Sequence, residues 1–558
     1  MRFSSRRFAL ACVPALALSV PALAQERARE AADDSLAARV DRVFARMDRP
    51  DSPGCAVGAS RNGATLYTRG YGSANLEYGV PITAASVFES GSVAKQFTAS
   101  AIVLLAQQGK LALDDDVRKY VPEVPNFGET IRIRNLLNHT SGLRDQWALL
   151  GIEGRGPGTQ VHSPATTLDL VTHQKALNFP PGTDYLYSNS GYSLLGIIVQ
   201  RVSGQSLDAF TQARLFLPLG MTHTRWRDDF TAIVKGRTTA YSGTVDRGFR
   251  TDMSFTNMIG NGGLLTTVGD LLAWNENFFD PKVGGRAYVD SMQTRAVLRN
   301  GRRLTYALGL DVGAYDGVAE VSHGGATAGY RTFLARYPDQ HVSVVVLCNL
   351  ASANPGALAH QVADLLLNKP ARPIQSGASQ RVTLTTAQLE RWTGAYVERR
   401  TDNVTRLAVR DGKLVTADER NAELTPISPE RFRTAGGTEL AFSGVAPSRT
   451  VRAIAQDGDT AVLIEIRAAN ATPAQLADYV GTYASDELEV KLTIALRDGQ
   501  LVLRRRPADE MPLRATYEDD FDSPIGSLRF SRDASGRVTG FAVFAGRARD
   551  VRFVRERH

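Results

Sequence analysis

Seven residues of this chain recur at one constant offset: Gln388, Leu389, Gly394, Tyr396, Asp411, Gly412 and Leu414 return as Gln475, Leu476, Gly481, Tyr483, Asp498, Gly499 and Leu501, each 87 positions on. A fixed shift over so many positions means one structural unit written twice. It restricts the end of the sequence to a pair of like domains. Each copy carries short alternating stretches, "TRLAVRDGKLVTA" and "KLTIALRDGQLVLRRR", that turn at Asp-Gly. Period-two alternation around Asp-Gly is hairpin chemistry. Two small all-β domains, lipocalin-like barrels over 383–470 and 471–558, are therefore expected.

Ahead of them lies "NKPARPIQSGASQRV", 368–382, rich in Pro, Ser, Gly and Ala and without periodicity, which reads as a linker. At the other end, a basic start (Arg2, Arg6, Arg7) precedes an apolar run from Phe8 to Val20 and then Ala22-Leu23-Ala24 before Gln25. That is the layout of a cleavable secretory signal over 1–24, and the run is shorter than the roughly 20 residues a spanning helix needs. The expectation is a periplasmic or secreted protein that starts near Gln25 and has no membrane span after cleavage. "SRRFAL" does not choose between export routes.

Residues 25–367 read as one α+β domain. "CAVGASRNGATLYTRGYG" gives two strands around Asn62-Gly63, a strong hairpin signal. Residues 92–108 give a helix that ends at Gly109, and a second runs from the "YSNSGY" stretch to Gly204. "VAEVSHGG", "YRTFLARYP" and "VSVVVLCN" are three late strands. Two early and three late strands form one antiparallel sheet flanked by helices.

Removing the leader's three arginines lowers the formal net charge from +7 to +4, and the arginines are scattered among acids. Nothing in that pattern points to nucleic acid. Cys12 leaves with the leader; Cys55 opens one predicted strand and Cys348 closes another. They either pair across neighbouring strands or stay as small buried apolar residues. Asp114-Asp115-Asp116 follows a helix end, and His162 and His173 lack metal spacing, so no metal or cofactor is called for. His139 is assigned to a loop hydrogen bond. Gly-x-Ser-x-Gly is absent, against an α/β-hydrolase.

Three short motifs could carry chemistry. Ser92 and Lys95 form the chain's single Ser-x-x-Lys, i and i+3 on one helix face. Serine is a weak nucleophile without a base. A lysine buried at a helix N-terminus is driven toward its neutral form and can act as one. Taken alone, the pair also describes a helix-start serine and a solvated lysine. Tyr187-Ser188-Asn189 precedes the next helix and places a phenol and an amide where they face a cleft or merely cap. His323-Gly324-Gly325-Ala326 ends a strand, where glycine lets a substrate approach the backbone. The N–H groups of Ser92 and Ala326 could then form an oxyanion hole, often about 3 kcal/mol per donor.

Together, and in this order, the three motifs resemble the serine β-lactamase and penicillin-binding protein superfamily, as do "ANLEYGVPIT", "GKLALDDDV", "IRNLLNHTSGL" and "GNGGLLTTVGDLLAW". The resemblance implies a covalent acyl-enzyme: Ser92 attacks a carbonyl, Lys95 and Tyr187 share proton transfer, and Asn189 hydrogen-bonds substrate or Lys95. His323 stands where many relatives have a lysine, which weakens recognition of a substrate carboxylate because imidazole is mostly neutral near pH 7. Within the superfamily the D-aminopeptidases are most similar, with "SGLRDQWAL" and "GTYASDELEVKL" among the matching text. In that family a loop of the final barrel reaches the cleft and an aspartate there helps select a free amine, which maps onto Asp522. Gly325 and Asp522 are thus the expected substrate-binding residues.

The resemblance implies a small peptide, amide or ester as substrate and leaves room for a homo-oligomer. A carboxylesterase or a β-lactamase on the same scaffold is the alternative. A non-turnover, envelope penicillin-binding protein is the alternative of another class.

Overall fold

The computed structural model describes residues 35–367, 382–418, 421–455, 460–467, 469, 472–506 and 509–556. The expected leader, 1–24, and all but the last residue of the expected linker, 368–382, lie outside these.

After helix α1 (Leu36–Phe44), strands β1 (Cys55–Arg61) and β2 (Ala64–Tyr71) turn at Asn62 and Gly63, both at positive φ, as an Asn-Gly hairpin requires. Four later strands complete the sheet: β3 (Asp311–Tyr315), β4 (Val318–Thr327), β5 (Tyr330–Tyr337) and β6 (Val342–Cys348). The order is β3-β4-β5-β6-β1-β2, antiparallel throughout. The five expected strands are present. The sixth, β3, is an edge strand that buries little, so its sequence shows no clean alternation.

Central strands β1 and β6 are buried on both faces, which explains their near-continuous apolar text. Val57, Ala59, Val344 and Val346 pack on one face with α1 and helix α5 (Pro355–Leu366). Ala56, Val345 and Leu347 face the large helical core on the other. The β1–β6 register sets Cys55 opposite Cys348, and the two form a disulfide.

Helix α2 (Lys95–Gln107) runs through the middle of that core, with every residue from Lys95 to Leu105 buried. A helix apolar on all sides belongs inside, and its few polar groups find partners there. Gln96 accepts from Trp274 Nε1, and Thr98 donates to the Gly260 carbonyl. This central position is what desolvates Lys95.

Each copy of the repeat forms an antiparallel sheet that coils into a nearly closed barrel, with the first strand paired to the last. The repeated residues explain themselves. Tyr396 and Tyr483 are both fully buried, and each hydroxyl donates to the carbonyl four residues back, Trp392 and Tyr479 respectively. Asp411-Gly412 and Asp498-Gly499 are hairpin turns at positive φ.

The second barrel docks onto the α+β domain. Its apolar cluster continues into Leu149, Leu150 and Ile152 of helix α3 (Gln146–Glu153). The Arg144 guanidinium, 1 % exposed, pairs with Glu487 of the barrel and donates to the carbonyls of Arg549 and Asp550.

Candidate active site

Ser92 sits in a tight turn, Gly91–Ala94, that feeds directly into α2, so Lys95 is the first residue of the α-helix proper. The turn is pressed against β4. Gly91 has φ +52°, and a Cβ there would lie 2.6 Å from the Ala326 nitrogen; a Cβ on Gly325 would lie 2.1 Å from the Ser90 carbonyl oxygen. Both positions must therefore be glycine. Their closeness sets the Ser92 and Ala326 backbone beside each other, as an oxyanion hole needs.

Lys95 Nζ has three neighbours: Ser92 Oγ at 3.1 Å, Asn189 Oδ1 at 2.9 Å and the Asn261 carbonyl at 2.6 Å. The last two can only accept. Asn189, first residue of helix α4 (Asn189–Ser203), is oriented by Asp145, whose carboxylate accepts from its N–H and its Nδ2. A neutral amine has two N–H donors and one lone pair. With both donors taken, the lone pair is left for the Ser92 hydroxyl.

Burial pushes the Lys95 ammonium well below its ordinary range, opposed by the Asp145 charge and assisted by Arg547. Desolvation favours the uncharged amine, the form that can accept a proton.

Tyr187 closes the pocket, its ring 4.8 Å from Lys95 Nζ. The hydroxyl is buried without a well-formed hydrogen bond. Burial raises its pKa, opposed by the neighbouring Ser92 hydroxyl. His139 packs against its ring, tilted by 33° with centroids 4.0 Å apart, and accepts from the Ser188 N–H, the loop hydrogen bond assigned to it from the sequence.

Burial makes the neutral form of His323 the favoured one. Its Nδ1 lies 2.6 Å from the Gly324 carbonyl and so carries the proton, leaving Nε2 to accept from Tyr306 Oη at 2.9 Å. Burial, then the nearby Lys95, lowers its pKa to about 4. The substrate therefore meets no fixed positive charge at this position.

Ser92, Tyr187, Asn189 and His323 line one cleft of about 870 Å³, together with Gly325, Ala326, Asp252 and Arg547. Asp522 does not belong to it. It lies exposed on strand Asp520–Ser523 and lines a separate cavity of about 890 Å³ with Asp402, Asp418 and Trp147. Its hairpin turns at Pro524 and Ile525 into the cavity between the first barrel and helix α3, which meets the catalytic cleft only at Trp147.

The hairpin that does reach it joins Val538–Ala545 to Ala548–Arg555, and it delivers Arg547. The Arg547 guanidinium carbon lies 4.6 Å over the Tyr187 ring. Sequence reasoning missed Arg547, Asp145 and Tyr306. A Gly-Arg pair between two alternating runs was the available signal for the first.

The Beta-lactamase family model matches residues 40–369. The chain belongs to the Beta-lactamase family. Over nearly its whole length, barrels included, it is similar to the D-aminopeptidase of Gluconobacter oxydans (strain 621H), 28 % identical across 94 % of this chain and 99 % of that one. The D-aminopeptidase of Brucella melitensis biotype 2 is 27 % identical across 90 % and 96 %. Among solved structures, the fold is shared with the octameric penicillin-binding protein homologue from Pyrococcus abyssi, at TM-score 0.55, 24 % identity, and 77 % and 99 % coverage of the two chains. It is also shared with the D-amino acid amidase from Ochrobactrum anthropi SV3, at TM-score 0.50, 20 % identity, and 60 % and 99 % coverage. Membership in the Beta-lactamase family makes this enzyme a serine hydrolase.

No group of His, Cys, Asp and Glu among the described residues could hold a metal, and no helix among them is long and apolar enough to cross a membrane.

Proposed function

We propose that this enzyme is an exported hydrolase of the D-aminopeptidase type, releasing N-terminal D-amino acids from short peptides or amides through an acyl-Ser92 intermediate. The observation that carries the chemistry is the Lys95 amine, whose two N–H groups are claimed by Asn189 and Asn261 so that its lone pair faces Ser92. Ser92 attacks the substrate carbonyl as Lys95 takes its proton. The oxyanion is held by the N–H groups of Ser92 and Ala326, and Tyr187 passes the proton to the departing amine. Water then repeats the sequence on the ester, and Ser92 is restored.

Three observations support the finer reading. Both barrels take part in the likeness to the two D-aminopeptidases. The neutral His323 offers nothing to the carboxylate of a β-lactam. Asp252 lines the cleft beside the turn after β4, where its carbonyl accepts from Gly329, and its carboxylate makes no ion pair among the described residues. An unpaired carboxylate there suits a substrate ammonium. The Cys55–Cys348 disulfide supports an oxidising compartment. An assembly of several copies, as in the octameric homologue from Pyrococcus abyssi, is compatible with the same fold.

The test sets the mature chain beside Ser92→Ala on a D-alanine anilide, its L form, a chromogenic cephalosporin and a short-chain aryl ester. Repeated turnover of the D anilide, abolished by Ser92→Ala, is expected. Ester turnover without the anilide would favour an esterase. A single acylation that stalls would favour a non-turnover penicillin-binding protein.

A further inference from the structure

One arginine inside the α+β domain carries a charge that no acid answers. Arg336 lies on β5, between Val321 of β4 and Ser343 of β6, and is 1 % exposed. Its guanidinium carbon stands 3.6 Å from the centre of the Phe278 ring. Two neutral amides are its polar partners: Nη1 donates to Asn275 Oδ1 at 3.3 Å, and Nη2 donates to Gln293 Oε1 at 2.9 Å. Its Nε is buried and donates to nothing among the described residues. Arg144 and Arg227, comparably buried, are paired with Glu487 and Glu89. Burial without such a partner pushes the Arg336 pKa down to about 9, so the group is still charged at neutral pH. An uncompensated charge in that position works against the fold.

Arg336 borders a cavity of about 220 Å³, whose wall includes Gln293, Arg286, His341, Phe278 and Phe279 and no carboxylate. Arg286 brings a second guanidinium. Its Nε lies 3.4 Å from Asp290 Oδ1, but both side chains are well exposed, and such pairs hold little energy. His341 is already engaged: it stacks on Phe279 at 4.0 Å, and its Nε2 lies 2.9 Å from Glu276 Oε1. Gln293 is half-buried, and its Nε2 makes no hydrogen bond among the described residues. At roughly 30 Å³ per water, this volume admits an ion of a few heavy atoms with some hydration, and no peptide. Water would solvate the guanidinium there without neutralising it. An oxyanion would do both, because its oxygens match the fork of guanidinium donors.

The cavity shares no residue with the catalytic cleft, yet its walls are connected to α2. Asn275 belongs to helix Val268–Glu276, whose Trp274 donates to Gln96 of α2. Gln293 directly follows helix Gly285–Met292, whose Tyr288 hydroxyl lies 2.6 Å from Ser100 Oγ of α2. Arg336 thus joins the sheet to the two helices that hold α2 from behind.

We propose that this cavity is an anion site, in which one small oxyanion of the phosphate or carboxylate kind sits between Arg336 and Arg286, accepts from the Gln293 amide, and locks β5 to the two helices behind α2. The site is independent of which substrate acylates Ser92.

The test follows the melting temperature of the mature chain in buffer free of oxyanions, as inorganic phosphate or acetate is added to about ten times its dissociation constant, beside sodium chloride at equal ionic strength. At least one of the two oxyanions should raise the transition of the α+β domain by about 2–4 °C, saturably, and chloride should not. Arg336→Met, uncharged and similar in length, should abolish that response. Arg286→Gln changes an exposed side chain, so it tests the site even if Arg336→Met does not fold. It should raise the half-saturating concentration about tenfold, the size of one charge-assisted contact. No response of the native protein to either oxyanion, an equal response to chloride, or a response that persists unchanged in Arg336→Met would overturn the site. Should Arg336→Met not fold, an unchanged response in Arg286→Gln would overturn it as well.

Discussion

Asn189 is clamped by Asp145 through two hydrogen bonds, from its N–H at 2.7 Å and its Nδ2 at 2.8 Å, which leaves its Oδ1 facing Lys95 at 2.9 Å. The carboxylate can only accept, so it decides which end of the amide meets the lysine. Asp145 is thus a positioning residue, separated from the reacting hydroxyl by Asn189 and Lys95.

Asp145→Ala should free the Asn189 amide to rotate and leave its buried donors unpaired. A cost of about 2 kcal/mol is expected from such a loss, or roughly thirtyfold in kcat on an aryl ester with little change in KM. Removing the Asp145 charge also deprives the Lys95 ammonium of its main support. The acid limb of the pH–rate profile should therefore move to lower pH. An unmoved limb with the same loss of rate would reduce Asp145 to a purely structural role.

Lys95 gives a second expectation, in both activity and stability. Lys95→Met should lower kcat by on the order of 10³, within the range for loss of a general base. The folded protein holds Lys95 neutral well below 10.5, while the unfolded chain binds the proton up to that value. The unfolded state thus binds more protons between the two pKa values, and this group makes the native protein gain stability as pH rises toward 10.5. The gain is about 1.4 kcal/mol per pH unit in that window. Melting temperatures of wild type and Lys95→Met across pH 6–10 should diverge accordingly, with wild type rising more steeply.

The convergence of Ser92, Lys95, Tyr187 and Asn189 was legible because each motif is local: a helix start, a loop and a second helix start each fix their own side chains. The barrels were legible because the repeat prints the same Tyr and Asp-Gly twice. Asp522 was misplaced for the opposite reason. Which barrel hairpin points at the cleft depends on docking, and docking rests on pairs such as Arg144 with Glu487, 343 residues apart. No local periodicity carries that information. Asp145 stood within a quoted motif, but its role appears only when the fold brings it to Asn189.

That docking pair yields a third expectation. Arg144 and Glu487 are 1 % and 6 % exposed, so Glu487→Ala strands a buried guanidinium and should cost about 3–5 kcal/mol. The change should appear as an earlier unfolding step of the second barrel in calorimetry. A single transition shifted as a whole would mean that the barrel and the catalytic domain unfold together.

The two barrels share a proton at their contact. Ser527 Oγ lies 2.6 Å from Asp520 Oδ2 and 2.9 Å from Asp402 Oδ2. One hydroxyl can donate only once, so one of its two carboxylate neighbours must donate to it. Burial, then the Asp402 carboxylate, raises the Asp520 pKa to about 7, whereas Asp402, paired with Arg529, stays ionised. Below about pH 7 the protonated Asp520 therefore donates to Ser527, and Ser527 donates to Asp402.

Between 3.8 and about 7 the folded state holds this proton and the unfolded chain does not. The contribution is complete below pH 3.8 and is lost as pH rises through about 7. Asp520→Asn keeps a donor at that position without a titrating group, so it should melt at a higher temperature than wild type at pH 8–9 and lose the advantage near pH 5. A variant that destabilises equally at both pH values would show that Asp520 is ionised in the native protein and that the contact carries no proton.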